Sequence, residues 1–452
     1  MTLHDTDLDI EALRPGDDGY DDAANVFFGT GAPALIVRPG DVHEVAEALE
    51  HARKHGLPVS VRSGGHSPVG HSTNTDGMVI DLARLDAVEV LDPERRLVRV
   101  GGGATWGTVA GAIQSRGWGL TSGDTENVGV GGLTLGGGIG WMVRRHGLTI
   151  DNLVSARVVT ADARVITASP DEDAELFWAL RGGGGNFGVV VDFDFVAQEV
   201  ETVHYGTVTY RLDDRRDIVR RWRDAMRGAP DELSSTLVLA PAFPGAAAAA
   251  MVLVCYAGEP GSTAAEADAA IEPLLELGTV TAAKIEERPY ADILEHAQHP
   301  PGIRMVSRNT LVREVDDQVV DAIDRLHAAP VPTAVAIRAL GGAFGRVPAD
   351  ATAFAHRDAE AMIVCALFVP ATTSEADIDR ALAPWREVAA LGTGTYVSFQ
   401  GSATPEDVAA AYPPATYTRL ADVKRAYDPG NVFALNHNVE PARSEEADGP
   451  AA

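Results

Sequence analysis

The chain has 452 residues, 45% of them hydrophobic and 23% charged, a length and composition that suit a folded protein with more than one core. Its formal net charge of −28 opposes binding to a nucleic-acid backbone or an anionic membrane surface, and its only lysines are Lys54, Lys284 and Lys424. No apolar run approaches the roughly 18 residues that signal a membrane-spanning helix.

The N-terminal stretch MTLHDTDLDIEALRPGDDG is acidic and lacks the basic and apolar regions of a secretory leader, so a cytoplasmic location is expected. Next, LIVR (35–38) reads as a strand and Val42 to His55 as an amphipathic helix, capped by Asp41 and stopped by Gly56. PVSVR (58–62) and MVIDL (78–82) are short apolar strands around a glycine-rich turn. Residues 87–103 read as a hairpin, and a helix follows near 106–117. Strands are expected at 155–161 and 189–200, with a helix around 175–180 between them.

From Thr202 the pattern changes to long β-type runs at 205–212, 235–243, 249–258, 333–340 and 361–370. Helices are expected near 261–276, 315–328 and 374–390. This pattern predicts one antiparallel sheet with helices on one face. Cys255 and Cys365 sit in two of the strands and read as inert core thiols. No metal-ligand spacing is present, so no metal is expected. The alanine run at 246–250 reads as a loop or packing stretch, 427–439 as turns and short strand, and 441–452 as a disordered tail.

Three glycine clusters occur in the first half: RSGGHS (62–67), GVGGLTLGGGIG (129–140) and RGGGGNFG (181–188). Glycine lets the backbone approach a ligand, and successive N–H groups in such turns suit a diphosphate. None follows the phosphate-loop grammar. One of them carries a histidine, His66.

Together with VIDL (79–82), WMVRRHGLTIDNL (141–153), LFWALRGGGGNFGVV (176–190) and YDPGNVFALNHNV (427–439), these motifs resemble the FAD-linked oxidases of the berberine bridge enzyme type, within the vanillyl-alcohol oxidase superfamily. The resemblance covers about residues 20–200 and the last 60. It implies an α+β protein: a PCMH-type FAD-binding fold of two α/β subdomains at 1–202, a substrate domain at 203–400 with a helix-covered antiparallel sheet, and a segment at 401–440 that returns to the FAD domain. It implies that His66 bonds the 8α-methyl of FAD. Arg62, Ser63, Gly64, Gly65 and Ser67 then form the turn around the diphosphate. Gly131, Gly132, Gly136, Gly137 and Gly138 form the loop over the flavin, with Asn152, Asn436 and Asn438 as further polar contacts.

Many members of that family attach FAD a second time through a cysteine. The matching residue here is Thr125, so the implied linkage is single. Val128 matches a position beside the flavin where valine goes with access for O2. The implied reaction moves a hydride from a small organic substrate (an alcohol, sugar hemiacetal or amine) to the flavin, with hydrogen peroxide as the second product. The alternative is an oxygenase that uses an oxygenated flavin. Tyr396 lies in TYVSFQ, where Ser398 replaces the asparagine of the family motif. It is a candidate base with His356, Tyr412 and Tyr417. His71 is a candidate for tuning His66. The partners expected are a small-molecule substrate and O2, and a homo-oligomer is left open.

Overall fold

Strands Leu35–Arg38, Met78–Asp81 and Val59–Arg62 lie side by side in parallel, and Glu11–Leu13 pairs antiparallel at one edge. The computed structural model to which they belong describes residues 8–243, 245, 247–298 and 302–443. Helix Val42–His55 covers this sheet with Val45, Ala48, Leu49 and Ala52, the stripe its 3.6-residue period predicts. Asp41 accepts from His43 N and Glu44 N at its start, and Gly56 closes it in the left-handed conformation (φ 63°).

A second sheet is wholly antiparallel, in the order Val165–Ala168, Leu153–Val159, Val189–Val196, Leu97–Gly101, Val88–Asp92. Helices Trp106–Gln114 and Ala174–Leu180 pack on it through Trp106, Val109, Ile113, Phe177 and Leu180.

The third sheet has seven antiparallel strands: Val280–Pro289, Thr202–Arg211, Ala249–Tyr256, Leu233–Ala240, Thr333–Ala339, Ala361–Pro370 and Ile303–Val312. One face is buried under helices that include Arg215–Arg227, Ala264–Leu275, Asp317–His327 and Ala383–Ala389. Leu311 and Met362 on the other face pack with Ile139, Val143, Leu148, Ile150 and Tyr396. Two arginines fasten the junction. Arg144 donates to the carbonyls of Leu233, Leu340 and Ala229, and Arg357 forks onto both oxygens of Asp151 at 2.7 and 2.8 Å.

The structure departs from the sequence reading in several places. The stretch read as a glycine loop contains a helix, Val130–Gly136. The helix expected at 374–390 is two, Glu375–Ala381 and Ala383–Ala389, because Pro384 cannot continue the first. After helix Pro414–Tyr427 the chain forms no strand up to residue 443. Side chains hold it instead: Lys424 Nζ donates to the carbonyls of Asn186 and Phe433 and to Asp428, which accepts from Val432 N and Phe433 N. The tail expected at 441–452 lies, beyond residue 443, outside the described residues. No helix among the described residues is long and apolar enough to cross a membrane.

Candidate active site

A cleft of about 600 Å³ opens where the three sheets meet, a volume suited to a cofactor and small ligand. Its floor is the turn that follows Val59–Arg62. Gly65 sits there at φ 73°, and a Cβ on Gly64 would stand 2.3 Å from Gly129 N, so the first two glycine clusters cross in direct contact. Ser63 Oγ fixes the crossing by donating to Gly102 O at 2.6 Å and accepting from Gly131 N at 3.2 Å. Gly132 and Gly185 also line the cleft, and a Cβ on either would meet nothing within 4 Å. Both present bare backbone to open space.

His66 lies on this floor, its ring stacked on Phe27 with centroids 4.3 Å apart. Burial, and then the nearby His296, lower its pKa from 6.5 to about 4. The imidazole is therefore neutral at physiological pH, with a ring-nitrogen lone pair free of a proton. His71 lines the cleft too, but its ring meets His437 edge-on at 5.7 Å. Burial, and then His437, lower its pKa to about 4.

The roof comes from the seven-stranded sheet and the turn Val397–Phe399. Tyr396 is 1% exposed, and its phenol oxygen accepts from Gly138 N at 3.1 Å. Burial raises its pKa above the ordinary 10, against the opposing pull of Ser398, the Gly138 and Ile139 backbone and Arg338. Tyr412 is raised by burial alone, and its hydroxyl is buried without a partner. Both phenols keep their protons at neutral pH. At one side wall, Asp124 pairs with Arg338, whose Nε also donates to Thr236 Oγ1 at 3.3 Å. Burial would raise the Asp124 pKa, but Arg338 and Thr125 outweigh it and the net shift is downward.

Ser63, Gly64, Gly65, His66, Ser67, Thr125, Val128, Gly131, Gly132, Gly136, Asn436, Tyr396 and Tyr412 thus line one cleft. Other candidates stand elsewhere. Arg62 turns its guanidinium away from the cleft onto Asp81 and Ala23 O. Gly137 and Gly138 shape the turn behind Gly136 at φ 128° and 83°. Asn152 is tied to His146 O, Leu148 O and Gln198. His356 Nε2 is held by the Ala410 and Ala411 carbonyls, and Tyr417 OH accepts from Glu440 N. Asn438 lies outside the cleft lining, with a buried, unpartnered Oδ1. Sequence reasoning missed Asp124, Arg338, Asn309 and His437. Asp124 adjoins Thr125 and was within reach of the motif, whereas Arg338 comes from a strand more than 200 residues away.

The residues fit FAD. The cleft walls hold buried polar atoms without partners in the protein, namely His71 Nε2, Asn436 Oδ1 and Tyr412 Oη, in addition to the bare backbone at Gly132 and Gly185. Unpaired buried groups are costly and call for a ligand that satisfies them.

Two families match the chain: the FAD binding domain over residues 33–169, and the berberine and berberine-like family over 396–440. The chain is 31% identical to (R)-6-hydroxynicotine oxidase of Paenarthrobacter nicotinovorans, over 96% of its own length and 97% of that protein. The crystal structure of 6-hydroxy-D-nicotine oxidase from Arthrobacter nicotinovorans superposes with a TM-score of 0.86 at 28% identity, covering 98% of this chain and all of that one. Glucooligosaccharide oxidase from Acremonium strictum, described as carrying a 6-S-cysteinyl, 8α-N1-histidyl FAD, shares the fold at 24% identity and a TM-score of 0.82, over 96% of this chain and 98% of its own. From the motifs in its glycine turns to the architecture of its three sheets, the chain belongs to the FAD-linked oxidoreductases of the berberine bridge type.

Proposed function

We propose that this protein is an oxidase that holds FAD covalently through His66 alone and dehydrogenates a small organic molecule. The observation that carries the reading is the neutral His66 ring on the floor of the cleft, with Thr125 where a thiol would offer a second bond. Both cysteines are buried in strands of the seven-stranded sheet. When bound, FAD supplies a hydride acceptor that dioxygen reoxidises, with hydrogen peroxide as the second product.

The protein contributes binding, orientation and exclusion of water. Residues 1–202 and 401–440 form the FAD side, and 203–400 the substrate side. The turn Ser63–Ser67 and the bare backbone at Gly132 and Gly185 offer the diphosphate and flavin close approach. Tyr396, its oxygen already accepting from Gly138 N, has its own O–H left to donate to the reacting oxygen or nitrogen of a substrate. Its role is to orient that atom at neutral pH, since burial keeps the phenol protonated. Val128 lines the cleft wall, where a side chain of this size would leave O2 room to reach the flavin.

Anaerobic mixing with a substrate should bleach the flavin absorbance, and readmitted air should restore it with one hydrogen peroxide per product. Incorporation of oxygen from labelled O2 into the product would instead make the protein an oxygenase.

A further inference from the structure

On the sheet face that closes the cleft, strand Ile303–Val312 grades from apolar to polar with depth, opposite partners that stay apolar. Ile303 stands opposite Pro370, Met305 opposite Phe368, Ser307 opposite Ala366 and Asn309 opposite Val364. Ile303, Met305, Phe368 and Ser307 line the cleft. Phe243 meets the Phe368 ring edge-on, 5.6 Å between centroids and 76° between planes. Phe243 and Ile303 are 44% and 37% exposed, among the few large apolar side chains open to water among the described residues. An uncovered apolar patch leading into a cleft marks a surface that something apolar covers.

Two polar side chains beside these residues, Ser307 and Asp124, are already committed inside the protein. Ser307 Oγ donates to Phe399 O at 2.8 Å. Asp124 takes Arg338 and Thr125 Oγ1. The Tyr396 oxygen takes Gly138 N, which leaves its O–H, with that of Tyr412, as a donor at depth. A sugar brings a hydroxyl on nearly every carbon. Each one buried here without a partner weakens binding about tenfold. A flat ring against Met305 and Phe368 has no such cost and gains from edge and face contacts.

We infer that the substrate is a largely apolar aromatic compound bearing one oxidisable alcohol or amine carbon, and not a mono- or oligosaccharide. The ring packs on Met305 and Phe368, and the reacting group passes Ser307 toward Tyr396. The inference rests on the oxidase reading above. For an alcohol, the carbon loses a hydride and the oxygen a proton; the aldehyde forms while O2 becomes hydrogen peroxide.

The test uses the FAD-loaded protein and two probes, 2-naphthalenemethanol and cellobiose, with binding read from the perturbed flavin absorbance. The naphthyl probe should bind about 100-fold more tightly. Phe368→Asn should weaken it about tenfold and leave cellobiose unchanged, while Phe368→Leu keeps it within about threefold. Equal or tighter binding of cellobiose overturns the inference, as does a Phe368→Asn protein that binds the naphthyl probe normally. Should Phe368→Asn not fold, Met305→Gln carries the same expectation. Hydrogen peroxide formed from sugars but not from the aromatic probe overturns the substrate class and leaves the oxidase standing. A protein that never retains FAD overturns the oxidase reading, and calorimetry with the same two probes then decides the class.

Discussion

Asn309 closes its whole amide on the backbone of Tyr396: Nδ2 donates to the Tyr396 carbonyl and Oδ1 accepts from the Tyr396 N–H, each at 2.8 Å. A strand of the seven-stranded sheet thereby sets the position of a phenol whose oxygen is bonded to Gly138 in the FAD-binding half. Asn309→Ala leaves the buried Tyr396 N–H unpaired, while the Tyr396 carbonyl keeps Phe399 N at 3.2 Å, and should cost about 2 kcal/mol in urea unfolding. Tyr396→Phe keeps the ring and removes only the hydroxyl. It should lower kcat about 100-fold with KM changed far less, because the donor acts on the reacting atom. Normal turnover in Tyr396→Phe would remove this residue from the chemistry.

The pair Lys424 and Asp428 is wholly buried, at 0% exposure for both side chains. It organises the strandless segment that carries Phe433 and Asn436 to the cleft. Lys424→Met strands a buried carboxylate and should cost about 3–5 kcal/mol. Because the segment lines the FAD site, FAD uptake should fall with it. A melting temperature equal to the parent's would show that the segment is held by packing alone.

Much of this was legible in the sequence, for identifiable reasons. Helix Val42–His55 carries its own cap, apolar stripe and terminal glycine, so local chemistry alone specifies it. The His66 turn was legible because glycines at contact distance cannot be replaced. Strand Val280–Pro289 was not. It is an edge strand exposed along nearly its whole length, and VTAAKIEERP has no alternation to read. The C-terminal segment misled for a related cause: its apolar residues suggested strand, but Lys424 and Asn186 satisfy its backbone in place of a ladder. The roles of Asn309 and Arg338 depend on long-range pairing that no local pattern encodes.

Acid should destabilise the fold in a defined window. His66, His71 and His146 have folded pKa values of about 4 against an ordinary 6.5, with burial the main cause in each. Above pH 6.5 these rings are neutral in both folded and unfolded chains, so the stability they allow is fully present. As pH falls from 6.5 toward 4, the unfolded chain binds protons that the folded one refuses, and stability is lost. The urea midpoint of the flavin-free protein should drop steadily across that range. His71→Gln, which cannot titrate, should flatten the slope. A midpoint that is constant from pH 7 to pH 4.5 would contradict the assignment.

We propose His66 as the one covalent anchor of the cofactor. Acid precipitation of FAD-loaded protein, followed by absorbance of pellet and supernatant, tests it directly. We expect yellow flavin in the washed pellet of the parent chain and of Thr125→Ala, and free FAD in the supernatant of a folded His66→Ala protein. A colourless pellet from the parent, or flavin retained in the pellet of His66→Ala, would contradict it.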